Sequence, residues 1–181
     1  MLIKKWTSCV RELGSDYAIK KRISEGSLFR IEKGIYSESR DIPEIAVISC
    51  KYKKAVLTMH SAFYIHWLTD VIPDKYDLAT GRNSAKIHDS RIRQYFVPES
   101  FFCIGISTVK HKEYEISIYS KERMLIELIR YFSKLPYDYY KEIILRYRSI
   151  MPSLNVQDIQ EYAMAASNSG KIIRVLQSEV F

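Results

Sequence analysis

The chain has 181 residues, 47% of them hydrophobic, with 6 Gly, 5 Pro and no low-complexity tract, a composition that supports a folded core and excludes long disorder. Its 28 Lys and Arg outnumber 21 Asp and Glu, for a net charge of +7, which points toward an acidic partner. No apolar run approaches the roughly 18 residues of a membrane span, no apolar leader follows MLIKKW, and Cys9, Cys50 and Cys103 suit neither a disulfide framework nor a zinc site, so the sequence predicts a soluble, cytoplasmic protein with reduced thiols.

Ile3 to Leu13 reads as a helix, because Trp6, Cys9, Val10 and Leu13 recur at i, i+3, i+4, i+7 and make one apolar stripe. Gly14 can take the left-handed conformation that ends a helix, and Ser15 is suited to cap the next one, expected from Asp16 to Glu25. There Tyr17, Lys20, Lys21 and Ser24 share one face, while Ile19 and Ile23 point the other way, toward the stripe of the first helix. Gly26 stops the helix. Two short β-rich runs, Leu28 to Ile31 and Ile35 to Ser37, then flank Glu32-Lys33-Gly34, where Gly supplies the positive φ of a tight hairpin turn.

Helix, short turn, basic helix and hairpin together predict a winged helix-turn-helix, with Arg30 and Lys33 on the wing. Residues 1–37 hold eight Lys or Arg against four Asp or Glu, a net +4, whereas the remaining residues hold 20 against 17, a net +3. Basicity is therefore concentrated at the front. No third helix precedes the basic one, and a unit of two helices and a hairpin buries little surface unaided.

Polar Ser37-Glu38-Ser39-Arg40-Asp41 is the expected domain boundary, giving residues 1–38 to the winged helix-turn-helix and 41–181 to a second, α+β domain. The latter opens with a helix capped by Asp41 with Pro43 in its first turn, a short buried strand at Ala55-Val56-Leu57, and a helix from His60 to Leu68. The period then changes to alternation, and Tyr76 to Ala79, Ile92 to Val97, Phe101 to Val109 and Tyr114 to Tyr119 read as strands. Ser120 caps a helix through Phe132 with Leu125, Leu128, Ile129 and Phe132 inward, while Arg123, Glu127 and Arg130 line its opposite side as ordinary ion pairs. A helix from Pro136 to about Ile150 and two more, near Val156 to Ser167 and Lys171 to Val180, form a helical tail.

With GSLFRIEKGIY, AVLTMHSAFYIHWLTD and SKERMLIELIR in this order, the chain resembles the AbiEi-type antitoxin regulators of bacterial type IV toxin–antitoxin and phage-defence systems over nearly its whole length. The wing pattern is met by Leu28 and Lys33-Gly34-Ile35-Tyr36, with Lys where the family has Arg. Ser61-Ala62-Phe63 with His66-Trp67-Leu68, and Glu122-Arg123-Met124-Leu125 with Glu127, follow the other two motifs with single-residue departures. The resemblance implies a repressor of its own operon, two copies of which meet on an inverted-repeat operator in double-stranded DNA, and a C-terminal domain that opposes a nucleotidyltransferase-type toxin. It implies no cofactor and no direct contact with the toxin. A stand-alone regulator of a mobile element is the alternative within the same fold.

Rival classes find less support. His60, His66, His88 and His111 lack metal-binding spacing, His60 and His66 falling about 240° apart on a helix. No Walker loop, dinucleotide fingerprint, nucleophile elbow or nucleotidyltransferase signature occurs, and Asp70, Asp74 and Asp77 read as loop residues around a Pro turn. A nuclease would need Asp41, Glu44 and Lys51 to converge from a stretch that reads as helix. An RNA-binding surface would need exposed aromatics, whereas most of the 14 Tyr and 7 Phe fall at core spacing. The sequence thus predicts no enzyme, no metal and no membrane. Its DNA-binding residues are Tyr17, Lys20, Lys21 and Ser24 toward the major groove, Ser15 at the helix start, Arg22 beside that face toward phosphate, and Arg30 and Lys33 on the wing. Either Lys20 or Lys21 is the candidate base reader.

Overall fold

The structure, a computed structural model, describes residues 3–181. Its architecture is mixed α+β. The chain forms two compact units. The front one runs to Lys54 and includes Val109–Ile116, and the other comprises Ala55–Thr108 and Ser117–Phe181.

The front unit begins with strand β1 (Lys4–Lys5), followed by helices α1 (Trp6–Leu13) and α2 (Asp16–Ser24), strands β2 (Phe29–Glu32) and β3 (Ile35–Ser37), and helix α3 (Glu44–Lys51). Lys4 and Lys5 are strand rather than helix. They pair with Tyr36 and Ile35 and give β3 a neighbour on each side, in the order β1-β3-β2, so both rows of its backbone groups are bonded. The α1–α2 turn follows the chemistry of Gly14 and Ser15. Gly14, at φ 84°, donates its N–H to the Val10 carbonyl, and the Ser15 hydroxyl accepts from the Ala18 N–H at 3.1 Å.

Cys9, Ile19 and Leu28 make one buried cluster, with Val10, Leu13 and Tyr36 packed on it. Ile35 of β3 and Val47 and Cys50 of α3 make a second, with Ile3, Ile31 and Ile42 against it. Two sequence expectations shift as a result. α3 belongs with the front unit, which runs to Lys54, past the boundary expected at residues 38–41, and it packs on the sheet through Val47 and Cys50. Trp6 and Ile23 lie outside these cores. The Trp6 indole donates to Asp16 at 3.2 Å, which ties the start of α1 to the start of α2.

The second unit contains strand β4 (Val56–Leu57), helix α4 (Met59–Ile65), strands β5 (Tyr76–Gly81) and β6 (Ile92–Val97), helix α5 (Glu99–Phe102), strands β7 (Ile106–His111) and β8 (Tyr114–Tyr119) apart from their residues within Val109–Ile116, and helices α6 (Lys121–Arg130), α7 (Tyr137–Ile150), α8 (Val156–Ala165) and α9 (Ser169–Val175). The strand order is β6-β5-β4-β8-β7, with β5 parallel to β6 and β4 antiparallel to β5 but parallel to β8. α6 is the central helix. Its Ser120 cap accepts from the Arg123 N–H at 3.2 Å, and Met124, Leu125, Ile126 and Leu128 are fully buried.

Three expectations fail in this unit. Phe101 sits in a helix, because the Arg123 guanidinium takes the Phe101 and Ile104 carbonyls at 2.7 and 2.8 Å and stacks 3.4 Å from the Phe101 ring centroid, so β7 starts only at Ile106. Arg123, Glu127 and Arg130 form the expected i, i+4 and i, i+3 pairs, but not as ordinary ones, because Arg123 and Glu127 are buried. Asp77 is no loop residue either, in keeping with the strand expected from Tyr76 to Ala79. It lies on β5 with no exposed surface, and its carboxylate accepts the His60 N–H at 2.9 Å at the start of α4.

Candidate nucleic-acid interface

The most exposed aromatic residue of the front unit is Tyr17, at 77%, on the first turn of α2. Lys20, Lys21 and Ser24 follow on the same side, because residues three, four and seven positions on return to one face of a helix. Ile19, one residue before Lys20, is 1% exposed and anchors the opposite face in the core. The outward face is thus held by burial of the inward one and by the Ser15 cap.

Each polar side chain on that face has a defined state. Lys20 pairs with Asp16 at 2.8 Å, and Lys21 with Glu25 at 3.8 Å, both i, i+4. The Lys20 hydrogen bond, with that of the Trp6 indole behind it, holds the Asp16 carboxyl below its usual range, and Asp16 raises Lys20 in return. These pairs are open to water, so they are weak and yield to a competing anion. Ser24 donates its hydroxyl to the Lys21 carbonyl at 2.7 Å, which leaves its oxygen as an acceptor. Arg22 is exposed but lies about 140° from Tyr17 around the helix, so it stands apart from the other four.

The hairpin contributes two more cations. Arg30 pairs with Tyr36 across the strands, and a bulge follows, since Glu32 is already opposite Ile35. The extra residue is Ile31, which packs against the α3 cluster while Arg30 stays exposed. Lys33 occupies the turn beside Gly34, at φ 79°. The Gly34 carbonyl accepts the Trp6 N–H at 2.8 Å, so the hairpin turn is fixed to the start of α1. Between the end of α2 and β2 lies a groove of about 460 Å³, lined by Ile23, Gly26, Leu28, Phe29, Arg30, Ile31 and Arg40.

No protein-family model matches this chain, and no curated protein matches it.

The structure brings Tyr17, Lys20, Lys21 and Ser24 together on α2 and puts Arg30 beside the end of that helix. Lys33 stands separately at the turn, Arg22 lies off the main face, and Ser15 acts through its cap. Arg40 falls in the polar stretch expected as a domain boundary and is not among the DNA-binding residues the sequence predicts. Its guanidinium lies 4.7 Å from the Phe29 ring centroid, and the only signal for it in sequence was an Arg following a wing.

The second unit holds a different polar cluster. Asp77 Oδ1 accepts no hydrogen bond and lies 3.6 Å from an Arg93 nitrogen, while the buried Tyr139 hydroxyl, also without a partner, belongs to a ring 5.0 Å from His60. Burial raises the Asp77 carboxyl to about 7 against the opposing pull of Arg93, and burial beside Asp77 pushes Tyr95 up to about 12. His66, expected to be unremarkable, bonds through Nε2 to the Tyr119 carbonyl at 2.7 Å. Lys51 pairs with Glu32 at 3.3 Å, and about 10 Å of helix rise separates it from Glu44. Among the described residues no group of three or more His, Cys, Asp or Glu could hold a metal ion, and no helix is long and apolar enough to cross a membrane.

Proposed function

We propose that the front unit is a winged helix-turn-helix that binds double-stranded DNA, with α2 entering the major groove and the β2–β3 hairpin as the wing. The observation that carries this reading is the one-sided α2. An exposed Tyr17-Lys20-Lys21-Ser24 face is backed by buried Ile19 and flanked by a basic hairpin fixed to α1. Arg and Lys are the usual readers of guanine edges, and Tyr and Ser can reach bases or phosphates. Phosphate contacts from Arg22, Arg30 and Lys33 would set register without reading sequence.

The whole chain, on this reading, is a transcriptional repressor that acts as two copies on an inverted repeat, since a two-fold operator asks for two protein units. The resemblance to AbiEi-type antitoxins makes its own operon the expected target and makes a nucleotidyltransferase-type toxin, opposed through the second unit, its functional counterpart. The test is binding of the full chain to the DNA upstream of its own gene against an unrelated duplex of equal length. Higher affinity for the upstream DNA is expected, and the Lys20→Ala/Lys21→Ala double variant should lose about tenfold or more of it while remaining folded. Unchanged discrimination in a folded double variant would remove α2 as the reading helix.

A further inference from the structure

The groove between α2 and the hairpin has a mixed chemistry. Its floor is apolar, from Ile23, Leu28 and Ile31, and its charged members are Arg30 and Arg40, with no carboxylate among the residues that line it. Neither guanidinium has an ion-pair partner among the described residues, in contrast to Lys20 and Lys21. Arg40 is held over the face of Phe29, and such stacking fixes the guanidinium plane while leaving N–H donors free at its edge. Two guanidinium groups at one groove, one of them preoriented, match the non-bridging oxygens of a single phosphate better than any cation or neutral ligand. The apolar floor matches the carbon face of a sugar. Ile23 is one residue before Ser24 and three after Lys20, so the groove adjoins the exposed face of α2 where a strand passing to the wing would cross.

We propose that this groove seats one phosphodiester of the DNA backbone, gripped jointly by Arg30 and Arg40, with the attached deoxyribose against Ile23 and Ile31. The inference rests on the winged helix-turn-helix reading and adds Arg40 to its interface. A groove with apolar walls keeps water from one side of the contact, which strengthens a charge-assisted hydrogen bond relative to one on an open surface.

The experiment measures affinity of the full chain for a mixed-sequence duplex between about 50 and 300 mM salt, for the wild type, Arg40→Ala, Arg40→Lys, Arg30→Ala and the Arg30→Ala/Arg40→Ala double variant, with Lys20→Ala/Lys21→Ala as the control for α2. Arg40→Ala should weaken binding several-fold and lower the slope of log affinity against log salt by less than about one, since Arg30 still partly neutralises the same phosphate. Because both residues grip one phosphate, the double variant should lose about one unit of slope in all, and no more. Arg40→Lys should retain most of the slope but not the affinity, since it keeps the charge and loses the planar fork.

Unchanged affinity and slope in Arg40→Ala, alongside weakened binding in the Lys20/Lys21 variant, would overturn the phosphate seat alone. Absence of duplex binding by the wild type would overturn the winged helix-turn-helix reading with it. A loss of slope of about two in the double variant would mean two separate phosphates and would also overturn the shared grip. Thymidine 5′-monophosphate supplies the remaining arm. If it raises the melting temperature of the wild type but not of Arg40→Ala, while duplex binding is the same in both, the groove takes a free nucleotide-sized anion and not the DNA backbone.

Discussion

Arg123 carries its charge into a site with no solvent exposure, so every donor on it must be answered by protein. Nη1 donates to two carbonyls, Nε and Nη2 donate to Glu127 at 3.1 and 2.5 Å, and Arg130 adds two bonds of 2.8 and 2.9 Å to the same carboxylate. Removing one partner would leave the other charge buried, so Glu127→Ala should cost about 3 to 5 kcal/mol in urea unfolding, far more than a surface pair. Gly105 meets the same side chain. It has φ 71°, and a Cβ there would lie 2.5 Å from Arg123 Cβ, whereas Gly26, also at φ 71°, has open space. Gly26→Ala should therefore cost about 1 to 2 kcal/mol of left-handed strain, and Gly105→Ala distinctly more; equal costs would show that the Arg123 contact adds nothing. Asp77 predicts a pH effect with a definite sign. Its folded value of about 7 lies above the ordinary 3.8, so the folded state retains a proton that the unfolded chain releases, and this group's contribution lowers stability as pH rises from about 4 to 7. The neighbours that face it are His60 and Ser61 of α4, Asp74, Arg93 and Tyr95 of β6, and Tyr139 of α7. Asp77→Asn keeps an acceptor for the His60 N–H and should gain up to about 4 kcal/mol over the wild type at pH 8, but little at pH 4, in parallel thermal unfolding curves.

At the scale of elements, α2 shows how far local chemistry reaches. Its start and exposed face follow from Gly14, Ser15 and the 3.6-residue period, whereas the ion pair that occupies Lys20 depends on Asp16 being held by the Trp6 indole. DNA would compete with Asp16 for that ammonium. Asp16→Asn keeps an acceptor for Trp6 and removes the competing charge, so duplex affinity at low salt should rise several-fold. An unchanged affinity would mean that Lys20 makes no DNA contact. α3 shows the opposite case. Its sequence reads as a good helix, but whether it serves the front sheet or a later domain is settled only by Ile35 meeting Val47 and Cys50.

For the whole molecule, the two units differ in what they can do alone. A chain starting at Ala55 retains Phe63, Leu78, Ile118, Leu125 and Ile143 in its core, so it should unfold cooperatively and bind no duplex DNA. A chain starting at Ser39 would keep α3 but lose Ile3, Ile31 and Ile35 from its apolar face, and should bind a hydrophobic dye that the Ala55 chain does not. If the second unit opposes a toxin, the Ala55 chain should protect cells from the neighbouring toxin without repressing the promoter. Protection that required Lys20 and Lys21 would place that role in DNA binding instead.

The sequence by itself determined what depends on near neighbours along the chain. The caps at Ser15 and Ser120, the turns at Gly14 and Gly34, the stripe of Leu125, Leu128 and Ile129 and the basic face of α2 are all of this kind. Each follows from steric freedom, a cap hydrogen bond or a repeat of the backbone period. What the tertiary structure decided was which polar residues are solvated. Arg123, Glu127 and Asp77 are polar residues that the structure buries: carbonyls of Phe101 and Ile104 from a distant segment answer Arg123, which with Arg130 of the same helix answers Glu127, and the N–H of His60 answers Asp77. It also decided that Arg40 belongs to the groove, since its contact with Phe29 spans a hairpin that no local period describes. Burial of a charge is set by partners far away in the chain, and a sequence pattern counts only positions close by.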